Sequence, residues 1–220
     1  MTLPFLLSKN DCVVFDLDDT LYKEISFVKS GIKHCLEFAK LSASDEEVLN
    51  LLEKSDWINY VVEHSEIKLS NEDVLNEYRT HLPLLELDYE VHHMIDTFLE
   101  KGIHIGIITD GRSVTQRNKL KALGILEKID SVIISEEIGS EKPSQHNFRS
   151  FDKFNNKFYI GDNPKKDFVA PNGMGWITIM LLNNGENIHE QNIQSYPDEY
   201  HPHLAIEELA SLMPQILSFG

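Results

Sequence analysis

Only two cysteines occur in the 220 residues, Cys12 inside an apolar run and Cys35 inside a helical pattern. They make no disulfide framework and read as small core side chains. Basic residues are scarce beside acidic ones: 20 Lys and Arg stand against 36 Asp and Glu, a formal net charge of -16. Phosphate backbones and anionic headgroups are bound by clustered Lys and Arg, so the charge argues against nucleic acid and membrane surfaces as partners. No run reaches the roughly 18 uncharged apolar residues of a membrane helix. The opening "MTLPFLLSKND" lacks the basic start and the apolar length of a signal peptide, and the expectation is a cytoplasmic protein. Internal repeats, low-complexity tracts and Pro/Gly linkers are also missing. What remains, 41% hydrophobic and 25% charged, is an ordinary globular composition. The length allows one full core and a smaller second unit.

Five short apolar runs are present: "CVVF" (Cys12 to Phe15), "IHIGIIT" (Ile103 to Thr109), "SVIIS" (Ser131 to Ser135), "KFYIG" (Lys157 to Gly161) and "WITIML" (Trp176 to Leu181). Most are β-branched or aromatic without clean alternation, which predicts parallel strands covered on both faces. Helix-length segments separate the later runs. One is "RSVTQRNKLKALG", with Val114, Leu120 and Leu123 at helical spacing and Gly124 as a stop. The fold class expected is α/β, a doubly wound, Rossmann-like parallel sheet.

Between the first and second runs the rhythm breaks. "FVKSGIKHCLEFAKL", "SASDEEVLNLLEKSDWINYVVEH" and "SNEDVLNEYRTHL" all read as helical, the last opening on a Ser70/Asp73 capping box. Residues 22–87 are therefore expected to form an inserted helical domain, with 1–21 and 88–220 as the α/β core. Trp57, Tyr60 and His64, at helical spacing, are expected in that domain's core. At the other end, "NNGENIHEQNIQSYPDEYHPHL" reads as an exposed loop, its three histidines included, and "AIEELASLMPQIL" as a closing helix.

Ligands of open parallel sheets bind beyond the carboxyl ends of the strands. Polar residues gather at those ends here: Asp16 and Asp18 after the first, Thr109, Asp110 and Arg112 after the second, Lys142 beyond the third, and Asp162 and Asp167 after the fourth. Three aspartates crowded into "VVFDLDDTLY" are costly unless a cation or a phosphate chemistry with unequal roles compensates them. An EF-hand fails, because Leu21 stands where the loop needs Gly and Phe27 where it needs Glu. Gly106, inside a strand run, is read as a close-packing site.

Asp16-x-Asp18-x-Thr20, Thr109, Lys142-Pro143 and Gly161-Asp162-x-x-x-x-Asp167, in that order, resemble the four motifs of the haloacid dehalogenase-like (HAD) hydrolase superfamily. The helical insertion after the first motif is similar to the cap of its first subfamily. Thr109-Asp110-Gly111 with Gln116, Lys119 and Leu120 resembles the pyrimidine 5'-nucleotidase and N-acylneuraminate-9-phosphatase branch, except that Asp110 replaces the usual Asn. The resemblance implies a phosphatase of a small phosphorylated metabolite, of sugar phosphate or nucleoside monophosphate type. Asp16 would be the nucleophile and form an aspartyl-phosphate, and Asp18 the acid and base. Mg²⁺ would be held by Asp16, Asp162 and the backbone carbonyl of Asp18, with Asp167 in support. Thr109, Asp110 and Lys142 would surround the phosphate, and Thr20 would brace the loop. Lys23 and Arg112 are candidates for substrate contact. Asp19 has no assigned chemistry and is expected to cap local backbone. The same motifs also serve phosphotransferases and mutases. A receiver-type signalling module shares the Asp, Thr and Lys set but is about half as long and has no helical insertion.

Overall fold

The computed structural model describes residues 7–54 and 56–212. Six parallel strands form one sheet in the order β3-β2-β1-β4-β5-β6. They are β1 (Cys12–Phe15), β2 (His104–Thr109), β3 (Ser131–Ile134), β4 (Lys157–Gly161), β5 (Ile177–Leu181) and β6 (Leu204–Ile206). The five predicted strands are all present, trimmed by a residue at one end in three cases. The sixth lies in the segment expected to be loop and closing helix. Leu204 to Ile206 pairs with β5, and a 3₁₀ turn at Leu209–Leu212 follows. This strand is short and only partly buried, so it leaves little hydrophobic pattern. The remainder of the expected closing helix lies outside the described residues.

Lack of alternation in the strands has the anticipated cause. Val13, Phe15, Ile105, Ile107, Phe158 and Ile160 face one apolar cluster, which takes in helix α5 (Tyr89–Glu100). Cys12, Val14, Ile108 and Tyr159 face a second cluster, built from Phe148, Phe151 and Trp176. Both faces are buried, so every strand position prefers an apolar side chain. Gly106 is the exception: a Cβ there would stand 2.5 Å from the Phe151 ring, which confirms close packing.

Between β1 and β2 lie helices α1 (Glu24–Phe38), α2 (Asp45–Leu52), α3 (Trp57–His64) and α4 (Asn71–Thr80). They bury a third cluster of their own, including Ile32, Cys35, Leu36, Val48, Val61 and Val74. The helical stretch that opens at Ser42 forms two helices, which lets α2 pack on α1 and α3 on α4. The Ser70/Asp73 capping box closes as expected, with Asp73 accepting from the Ser70 amide at 2.8 Å. Of the aromatic trio, Trp57 and Tyr60 are half-buried against this core, while His64 is exposed. Among the described residues no helix is long and apolar enough to cross a membrane.

β1 lies between β2 and β4, so the chain reverses its direction of sheet growth beside it. Phe15 is level with Ile107 on one side and Ile160 on the other. The residues that follow β1, β2 and β4 consequently emerge at one edge, at the topological switch point.

Candidate active site

That edge holds a cavity of about 140 Å³ lined by Asp16, Asp18, Thr109, Asp110, Lys142 and Asp162, together with Asp19, Glu24, Asn163, Lys166 and His189. Six of the residues expected at the site from sequence thus meet in one space. Asp167 stands directly behind it, fully buried.

Lys142 organises the floor. Its Nζ donates to Asp16 Oδ1 at 2.6 Å and to Asp167 Oδ1 at 2.7 Å, with the Tyr159 hydroxyl 3.1 Å away. Tyr159 in turn donates to Asp167 Oδ1, and the Asn163 amide donates to Asp167 Oδ2 at 2.8 Å. Asp167 reaches this position from α8 (Pro164–Asp167), one helical turn beyond β4. It lies against Gly161 so closely that a Cβ there would stand 2.5 Å from its Oδ2.

Asp16, Asp162 and Asp167 are all buried and offer carboxylate oxygens within 4.8 Å of one another. Burial lifts the Asp16 carboxyl to about 7, against the pull of Lys142. Asp162 is pushed higher, to about 9, by burial and by the charges of Asp167, Asp16 and Asp19. Its side chain has an amide partner, Asn187 Nδ2 at 3.0 Å, but among the described residues no cation in contact. Lys142 is committed to the other two carboxylates. An all-oxygen donor set short of positive charge fits a hard divalent cation.

Asp18 has the opposite surroundings. Burial acts to raise its carboxyl, but Lys119 Nζ at 2.7 Å outweighs this and holds it below the usual carboxylate range, helped by the Tyr22 hydroxyl and by Gln116 Nε2 at 2.9 Å. Gln116 and Lys119 lie on α6 (Ser113–Ala122), three residues apart and hence on one face. Both are buried, whereas Val114, expected on the apolar stripe, is exposed. Gln116 Nε2 also lies 2.5 Å from Thr109 Oγ1.

Asp110 accepts from the Lys142 amide at 3.0 Å and from Lys166 Nζ at 2.9 Å, so its extra charge is matched by a lysine four residues past Asp162. Asp19, at φ 56°, accepts from the Glu24 amide and from the Ile188 amide, both at 2.9 Å. It caps local backbone as expected, but it also ties down a distant loop. The Thr20 hydroxyl is buried without a hydrogen-bond partner among the described residues, so it braces nothing through that group. Lys23 donates to Asn187 Oδ1 at 2.6 Å, and Arg112 is exposed near Glu136. Neither lines the cavity.

Several contributors escaped the sequence reading. Tyr22 and Tyr159 look like core aromatics, and Glu24 like an ordinary first-turn acid. Asn187, His189 and Gln191 sit in the polar segment after β5, where nothing but the fold reveals that the chain returns to the site. Gln191 Nε2 donates to the Asp162 carbonyl at 2.8 Å.

Comparison with known proteins points the same way. A family model described as haloacid dehalogenase-like hydrolase matches residues 13–181. The glyceraldehyde 3-phosphate phosphatase of Methanocaldococcus jannaschii is 31% identical over 195 residues, 77% of this chain and 84% of that protein. The ribulose-1,5-bisphosphate 5-phosphatase of Halopiger xanaduensis is 27% identical over 47% of this chain and 46% of its own. Among solved structures, the HAD-hydrolase YfnB from Bacillus subtilis bound to magnesium superposes with a TM-score of 0.64 at 16% identity, covering 93% of this chain and 97% of that one. The motif residues gathered at the switch point, the parallel sheet and the match over most of the length agree: the chain belongs to the haloacid dehalogenase-like hydrolases.

Proposed function

We propose that this protein is a Mg²⁺-dependent phosphatase that hydrolyses a small phosphate monoester, of sugar phosphate type, through an aspartyl-phosphate. The observation that carries the reading is the unequal pair at the end of β1: Asp16 clasped by Lys142, and Asp18 held separately by Lys119, Gln116 and Tyr22.

An Asp16 oxygen attacks phosphorus as the ester P–O bond breaks. Asp18 gives its proton to the departing alkoxide, then takes one from the water that attacks phosphorus and releases inorganic phosphate from Asp16. Lys142 and Thr109 line the cavity and supply fixed donors for the phosphoryl oxygens. Asp167 and Tyr159 keep the Lys142 ammonium in place. Asp16, Asp162 and the Asp18 carbonyl would hold Mg²⁺, whose charge favours ionised Asp16 and offsets that of the phosphate. An arriving phosphate dianion acts oppositely on Asp18, raising its carboxyl so that it can carry the proton. Asp110, held by the Lys142 amide and by Lys166, would shape the phosphate pocket from the β2 side.

Two observations support a small substrate. The cavity, at about 140 Å³, falls below the roughly 300–1,000 Å³ of sites for larger ligands, which disfavours a nucleoside monophosphate. Relatives of this chain are named for phosphorylated sugars. Helices α1–α4 would act as a cap over the opening and exclude water. Asp16→Asn is expected to abolish phosphate release from p-nitrophenyl phosphate, at least 10³-fold in kcat. Turnover near the wild-type rate in that variant would refute the mechanism.

A further inference from the structure

The cavity lining includes a carboxylate with no task in that chemistry. Glu24 is the first residue of α1, its amide bonded to Asp19, and its side chain faces the cavity from the helical unit. No hydrogen bond or ion pair engages its carboxylate among the described residues. Every other carboxylate lining the space is accounted for: Asp16 by Lys142, Asp18 by Lys119, Asp110 by Lys166, Asp162 by Asn187 and Asp19 by two backbone amides. The same contacts occupy the lysines of the lining. Lys142 and Lys166 each already hold a carboxylate, which leaves the half-buried Glu24 facing whatever lies beyond the phosphate.

A carboxylate that gives up water on substrate binding must receive a hydrogen bond in exchange, or the loss is uncompensated. In its ionised form it also repels a second anion. We propose that Glu24 is a specificity residue that accepts a hydrogen bond from a hydroxyl or amino group on the leaving group, so that the enzyme selects monophosphates of neutral polyols or amines over phosphorylated carboxylic acids. The inference rests on the phosphatase reading above. It adds a selectivity against acidic leaving groups that this reading does not fix. Its physical basis is the asymmetry of polar recognition, in which a site built around a donor rejects the analogue lacking it far more strongly than an apolar pocket rejects a misfit.

Glycerol phosphate, phosphoethanolamine and phosphoglycolate carry a hydroxyl, an amino group and a carboxylate respectively on leaving groups of similar size. The wild-type enzyme with Mg²⁺ is expected to show a higher kcat/KM for one or both of the first two than for phosphoglycolate. In Glu24→Gln, the ratio of the better of these to phosphoglycolate should fall at least tenfold, because the amide both weakens the acceptor and offers N–H donors to the acid. Whichever of hydroxyl or amine shows the larger fall identifies the donor. Wild-type preference for phosphoglycolate would overturn the proposal even without a variant. A ratio within twofold of wild type in folded Glu24→Gln would overturn it as well. If the wild type releases no phosphate even from p-nitrophenyl phosphate, the phosphatase reading fails and this inference with it, a result distinct from active enzyme that ignores Glu24.

Discussion

Two carboxyls separated by one leucine, Asp16 and Asp18, meet different lysines from different elements, and the difference comes from side chains that the local sequence does not contain. Lys142 approaches from the loop after α7 (Ser135–Ile138), and Lys119 from α6. Lys142 is itself positioned by Asp167, whose carboxylate rests on the bare Cα of Gly161. A methyl group at 161 has no free space and must displace the Asp167 side chain. Gly161→Ala is accordingly expected to cost about 1–3 kcal/mol of stability, in the range of overpacked cores, and to lower kcat as Lys142 loses its anchor. Urea unfolding and steady-state kinetics on the same preparation would test both parts, and a fully active, equally stable variant would contradict them.

Among the elements, the connection from β5 to β6 contributes most beyond its appearance. It has no regular structure longer than a 3₁₀ turn, yet Asn187 donates to Asp162 Oδ2 and accepts from Lys23, the Ile188 amide binds Asp19, and Gln191 ties the Asp162 carbonyl to that of Leu181. Hydrogen bonds of this kind orient metal ligands and typically affect affinity 10–100-fold. Asn187→Ala is expected to weaken Mg²⁺ binding by about that factor, measured by calorimetry in the absence of substrate; unchanged affinity would remove Asn187 from the site. The sequence hides this element because its side chains act one at a time, without periodicity. The strands are legible for the converse reason, since burial on both faces leaves short apolar runs without alternation. The motif aspartates were legible because they follow those strands directly. Lys119 and Gln116 lie between: the helical spacing of α6 is visible in Val114, Leu120 and Leu123, but it does not show that the two polar side chains are buried while Val114 is exposed.

At the scale of the whole molecule, the carboxylate cluster sets a pH dependence. Asp16 is raised to about 7 and Asp162 to about 9, from an ordinary value of 3.8. Between these values the folded chain holds protons that the unfolded chain has released, so stability falls as pH rises from about 4 through 9. A cation that binds only the folded state opposes the trend. The metal-free protein is expected to melt at lower temperature at pH 8.5 than at pH 6, and Mg²⁺ to raise Tm more at the higher pH, reversibly with EDTA. An equal Mg²⁺ effect at both pH values would argue against the cluster as its site.

The two cysteines sit in different cores, Cys12 in the sheet and Cys35 among the helices α1–α4. Burial pushes both thiols up to about 12, which leaves almost no thiolate to react at neutral pH. Each is therefore silent toward alkylating reagents until its own surroundings open. Alkylation rates at the two positions form a pair of independent clocks, one timing the opening of the α/β layer and the other that of the helical unit, in native protein without any introduced label.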